Sequence, residues 1–202
     1  ADLCARAIDL GELLVALLPD QPEVLGLLAL MLLHESRRTA RTDADGSLVL
    51  LEGQDRARWD ATLMRRARRL IHGAWRRPSV GRYVIEASIA GVHAAAARYE
   101  DTDWPHIVRL YDLLHRVSPS PVVALNRAAA IGLGDGPEAG LAALAPFAGE
   151  LADYQYFHTT RADLLSRLDR RAESAEAYRR ALELTTNPTE RAFLATRLTA
   201  LA

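Results

Sequence analysis

The sequence has no lysine, one cysteine and no apolar run longer than ten residues, and each shortage excludes something. A single thiol, Cys4, cannot build a disulfide framework within the chain or a multi-cysteine metal site. The longest apolar stretch, residues 24–33, is half of the about 20 residues a membrane span requires. No segment joins a charged start, an apolar middle and a small-residue cleavage site, so no signal peptide is expected and a cytoplasmic location follows. The formal net charge of -1 argues against a chain built as a whole to grip nucleic acid. Aromatic residues make up only 6%, and runs of isoleucine, valine and threonine of strand length are nearly missing.

What is present favours helix. Alanine (36) and leucine (33) dominate the 202 residues, and both are strong helix formers. All 25 basic residues are arginine, a bias that fits a GC-rich genome better than a design for phosphate binding. A hydrophobic share of 50% beside 25% charged residues is a globular balance. The chain opens on Ala1, not methionine, and reads as part of something longer.

The apolar spacing is helical almost throughout. Leu3, Ala7, Leu10, Leu14 and Leu17 share one face of a first helix that Pro19 stops. Pro22 suits the first turn of a second helix, 23–35, apolar nearly all round and so expected to be buried between neighbours. Residues 36–54 break the pattern as an irregular insertion, with a turn at 42–46 and a short apolar piece at 48–51. Leu48, Leu50, Leu51 and Trp59 carry too much apolar surface to face water, so this block should fold onto the helices. Helices are expected at 55–75 and 80–99, then one capped by Asp103 with Pro105 in its first turn and closed at Ser118-Pro119.

Residues 121–187 repeat. Ala128, Ile131, Gly134, Gly140, Leu144 and Phe147 return 34 residues later as Ala162, Leu165, Leu168, Ser174, Tyr178 and Ala181. That is the period of the tetratricopeptide helix–turn–helix repeat, with small residues where paired helices touch. A cruder copy starts at Pro22, and a capping helix is expected within 188–202. The fold expected is therefore all-α: a single domain over 1–202, a tetratricopeptide-like right-handed stack of helix pairs with one irregular insertion.

No catalytic constellation emerges, and no cofactor or metal is expected. None of the six histidines forms a His-Glu-x-x-His pair, and Cys4 reads as a packed thiol without a base beside it. Gly132-Leu133-Gly134-Asp135-Gly136 follows a helix, not a strand, and so reads as a helix end. Asp43, Asp45 and Gly46 look like part of a calcium loop, but its alternating oxygen ligands and closing glutamate are absent. Charge is uneven: residues 34–82 carry a net +6 and the remainder -7. Two readings stand for the candidate residues Asp43, Asp45, Asp55, Arg56, Arg58, Trp59, Arg65 and Arg69. They dock a partner, since tryptophan and arginine are common interface hot spots. Or their charges pair with one another and pin the insertion down.

Three blocks carry a family resemblance: Arg41-Thr42-Asp43-Ala44-Asp45-Gly46, Gln54-Asp55-Arg56-Ala57-Arg58-Trp59-Asp60, and Asp101-Thr102-Asp103-Trp104-Pro105. With Pro121-Val122-Val123-Ala124-Leu125-Asn126-Arg127-Ala128 they appear in the right order across the whole chain. Together they resemble the C-terminal tetratricopeptide-like extension of a group of bacterial extracytoplasmic-function sigma factors. Gly53 stands where the family block has an acid. The resemblance implies a regulatory domain in transcription initiation that touches the sigma regions, the core RNA polymerase, or both. Promoter DNA would be reached only through sigma regions that are not in these 202 residues. The competing expectation is a free-standing scaffold that binds a peptide or small ligand in its concave face.

Overall fold

The computed structural model describes residues 2–44, 46 and 48–201. It is all-α, and its contacts divide it into two compact units, Ala1–Ser118 and Pro119–Ala202.

The first unit holds α1 (Leu3–Leu17), α2 (Pro22–Ser36), α3 (Ala61–Trp75), α4 (Arg82–Ala95) and α5 (Trp104–Val117). Helix α2 is its centre: Leu25, Leu28, Ala29, Leu32 and Leu33 are buried, and α1, α3 and α4 pack around it. The approach of α2 to α4 is close because Gly26 has no side chain; a Cβ there would lie 2.5 Å from the Val84 nitrogen. Polar chemistry fixes the same crossing. The Glu23 carboxylate of α2 accepts from the backbone N–H groups of Gly81 (3.0 Å), Tyr83 (2.9 Å) and Val84 (3.4 Å). It thereby caps α4, whose N-cap residue, Gly81, has no side chain to do so. Glu23→Ala should therefore lower unfolding free energy by about 2 kcal/mol, read from urea unfolding, with Glu23→Gln closer to wild type.

Helix α1 corrects the sequence reading. Its leucine face does not pack: Leu10 is 63% and Leu17 67% exposed, and Cys4 is exposed as well. The packing face is instead Ile8, Gly11 and Val15, where Gly11 lets α1 approach Leu28. At the edge of the unit a helix buries one narrow stripe, and the small residue, not the larger ones, marks it. A second correction concerns α3, expected to start near Asp55. Asp55 caps only a 3-10 turn (Arg56–Arg58), and the α-helix begins six residues later at Ala61. Asp60 caps it, accepting from Thr62 N (2.7 Å) and Leu63 N (3.0 Å), while its own N–H donates to the Ser36 carbonyl at 2.8 Å. The insertion thus starts and ends at one place. Helix α4 also stops earlier than predicted, at Ala95, and a 3-10 turn (Tyr99–Asp101) follows.

The second unit holds α6 (Pro121–Gly134), α7 (Pro137–Leu144), α8 (Gln155–Arg167), α9 (Arg171–Leu184) and α10 (Pro188–Thr199). The 34-residue period is visible in the starts of α6 and α8, and of α7 and α9. Ala128 and Ala162 are fully buried at equivalent helix contacts, and Leu144 and Tyr178 fill equivalent core positions. Gly140 lies against the Gly132 backbone; its counterpart Ser174 is buried and donates to the Ala162 carbonyl at 2.8 Å. Helix α8 ends in a left-handed residue, Asp169 (φ 56°), with Arg170 N–H returning to the Leu165 carbonyl at 3.0 Å. The final helix α10 is tied on through Arg197, which donates to Asp163 (2.8 Å) and to the Tyr178 hydroxyl (3.2 Å), while Tyr178 donates to Asp163.

Candidate functional site

The chemistry-bearing residues gather in the first unit, around the insertion and the groove beside it. In the insertion, Gly46 N–H closes a turn on the Asp43 carbonyl (3.2 Å), and Thr42 pairs with Leu48 in one isolated antiparallel bridge. Asp45 lies outside the described residues.

Asp55, Arg56, Arg58 and Trp59 turn out to be engaged by their own chain. Arg56 lies with its guanidinium 4.3 Å from the Trp59 ring centre and donates to the His93 carbonyl at 2.6 Å. Trp59 is only 7% exposed. Arg58 donates to the Thr39 carbonyl, and the Thr39 hydroxyl donates back to the Arg58 carbonyl at 3.1 Å. Asp55 accepts from the Ala57 N–H at 2.9 Å. Trp59 turns inward as its apolar surface predicts, and Arg56 stacks on it. The leucines do the opposite of what was expected: Leu48 is 45% exposed, Leu50 is exposed too, and Leu51 is half-buried. The anchor of the insertion is thus one aromatic–cation stack and not a leucine patch.

Next to that stack is a partner the sequence did not single out. The His93 ring meets Trp104 edge-to-face at 5.3 Å, and Trp104 meets Tyr99 at 5.6 Å. Burial, then Arg56 and Arg37, push the His93 imidazole down from 6.5 to about 4. It is therefore neutral at pH 7. Between pH 6.5 and 4 the unfolded imidazole binds a proton that the folded one does not, so stability falls as pH falls. Complete protonation of the unfolded chain across that window costs up to about 3 kcal/mol. His34, lowered by burial and then by Arg37 and Arg41, acts in the same direction. Urea unfolding from pH 7.5 to 4.5 should show this decline, and His93→Phe should flatten most of it.

The groove is built by three helices, each presenting a stripe at helical spacing. From α3 come Met64, Arg65, Arg68, Ile71 and Trp75; from α4, Ser88, Gly91, Val92 and Ala95; from α5, His106 and Leu110, with its capping residue Asp103. Its volume is about 680 Å³. Trp75 is 41% exposed at one end, its Nε1 donating to Ser88 Oγ at 2.9 Å. Of the arginines predicted to dock, Arg65 lines this groove and Arg69 is exposed on the same helix. Arg68, of the same arginine cluster, lines the groove as well. Among the described residues no group of three histidine, cysteine, aspartate or glutamate side chains is placed to hold a metal ion. None of the described helices is long and apolar enough to cross a membrane.

Residues 1–75, which span α1 to α3, match the model of a family of unknown function (DUF6596). All 202 residues align at 47% identity with an uncharacterized protein of Rhizobium meliloti (strain 1021), of which they cover 48%. The chain thus spans about half the length of the curated relative it matches.

Proposed function

We propose that this chain is a regulatory protein-interaction domain of an extracytoplasmic-function sigma factor, acting in the cytoplasm during transcription initiation. It works by contact and not by catalysis. The sequence blocks around residues 41–46, 54–60 and 101–105 suggest the family, and one structural observation supports a contact role. This is the basic face of α3, with Arg65, Arg68 and Arg69 exposed beside an open apolar groove. Such a face, rimmed by charge and floored by apolar side chains, has the composition of a protein-binding surface. The partner on this reading is the promoter-reading sigma regions, the core polymerase, or both. Promoter DNA is touched only through those regions.

Two results test the reading. The coding sequence upstream of Ala1 should encode the two sigma regions; any other domain there removes the assignment. Residues 1–202 alone should give no sequence-dependent gel shift with promoter DNA at physiological salt, since the chain is near neutral.

A further inference from the structure

We propose that the groove between α3, α4 and α5 is the seat of a single amphipathic helix from a partner protein, apolar on its inner face and acidic along the edge that meets α3. Three observations lead there.

The first is shape. The α3 stripe runs from Ala61 to Trp75, about 21 Å at 1.5 Å per residue, the length of a helix of about 14 residues. On α4 the wall is small, with Gly91 and Ala95, so a partner helix can approach closely. The second is backbone chemistry. The three walls are α-helical over most of their length, and the backbone groups in the middle of each helix are bonded within it. An extended peptide laid in this groove would leave its N–H and C=O groups unpaired over apolar side chains, whereas a helix satisfies its own.

The third is charge, which is one-sided. Arg66 pairs with Glu12 at 2.6 Å, but among the described residues Arg65 donates only to the Thr62 hydroxyl (3.1 Å). Arg68 forms no ion pair among the described residues. On the opposite rim the acids are already engaged. Asp101 is held by both the Nε (3.0 Å) and Nη2 (2.9 Å) of Arg98, and Asp103 caps α5 through the His106 N–H at 2.9 Å. Asp103 keeps its charge while it caps, so two guanidiniums without ion pairs face one such carboxylate; the net charge along the groove is cationic, and on the α3 edge it selects an acidic occupant. This docking chemistry holds whether or not the partner is a sigma region.

The test uses residues 1–202 and three synthetic 15-residue peptides. One has leucines at helical spacing flanked by glutamates. The second has the same leucines flanked by lysines. The third is the glutamate peptide with a central proline. The expected result is saturable binding of the glutamate peptide, seen by calorimetry and by a change in Trp75 fluorescence that Trp75→Phe removes. The lysine and proline peptides should each bind at least tenfold more weakly. Arg65→Glu with Arg68→Glu should reverse the order of the two charged peptides. If that variant fails to fold, Arg65→Gln with Arg68→Gln should abolish the tenfold preference. No binding of the glutamate peptide, equal binding of both charged peptides, or equal binding of the proline peptide would each overturn the proposal. So would tight uptake of decanoate in place of the glutamate peptide, which would mark the groove as a small-amphiphile pocket.

Discussion

Gly26→Ala should destabilise the first unit by about 3 kcal/mol, a melting-temperature drop of roughly 10 °C. A methyl group at that position would lie 2.5 Å from the Val84 nitrogen and 2.7 Å from the Tyr83 carbonyl carbon. Both are backbone atoms, so no rotamer change can relieve the overlap, and α2 must separate from α4. That separation also pulls Glu23 away from the N–H groups it caps. The matched control is Gly73→Ala in α3. There the nearest atom is the Arg77 Nη1 at 3.7 Å, an ordinary contact, and alanine is the better helix former by about 1 kcal/mol. The same substitution should thus stabilise at residue 73 and destabilise at residue 26. Thermal and urea unfolding of the two variants read this directly, and equal effects would refute the close-crossing account of α2.

Trp59→Ala should cost about 3–4 kcal/mol, since it opens a cavity under the insertion and removes the ring on which Arg56 lies. The loss has two parts with different signatures. The cavity lowers stability at every pH. The freed guanidinium changes the surroundings of His93, whose imidazole Arg56 helps to hold near 4. Arg56→Met separates the two: it retains most of the stacked stem, removes the charge and should let the His93 pKa rise measurably by NMR titration. Its stability cost should be well below that of Trp59→Ala, because the buried Arg56 Nε and Nη2 have no partner among the described residues and their removal is favourable. A Trp59→Ala protein as stable as wild type would mean the insertion is not anchored through this stack.

Much of the fold could be read in the sequence because its signals are local. Pro22 and Pro105 lie in first turns and Asp103 caps α5, as the sequence predicts. The repeat was legible because Ala128 and Ala162, or Leu144 and Tyr178, do the same packing in successive copies. The failures come where the outcome depends on distant residues. The α1 leucines form a perfect helical stripe, yet which stripe is buried is decided by Leu28 of α2 meeting Gly11. Two aspartates, Asp55 and Asp60, are equally good caps by composition; the Asp60 N–H bond to Ser36 makes the second the true helix start. Arg56 and Arg65 are both insertion-flanking arginines, and only the tertiary position of His93 and Trp59 turns one inward while the other lines the groove. The groove itself had no sequence signal, since it forms only where the stripes of three successive helices, α3, α4 and α5, come together in the folded unit.

On the proposed function, residues 1–202 grip a protein partner through the α3 face. The most direct measurement is calorimetric titration of these residues with separately expressed promoter-reading regions of the sigma factor that the proposed function assigns to this chain. One-to-one binding is expected, weakened at least tenfold by Arg65→Glu with Arg68→Glu and unchanged by Arg179→Glu on α9 of the second unit. Absence of binding, or binding indifferent to the α3 arginines, would contradict it.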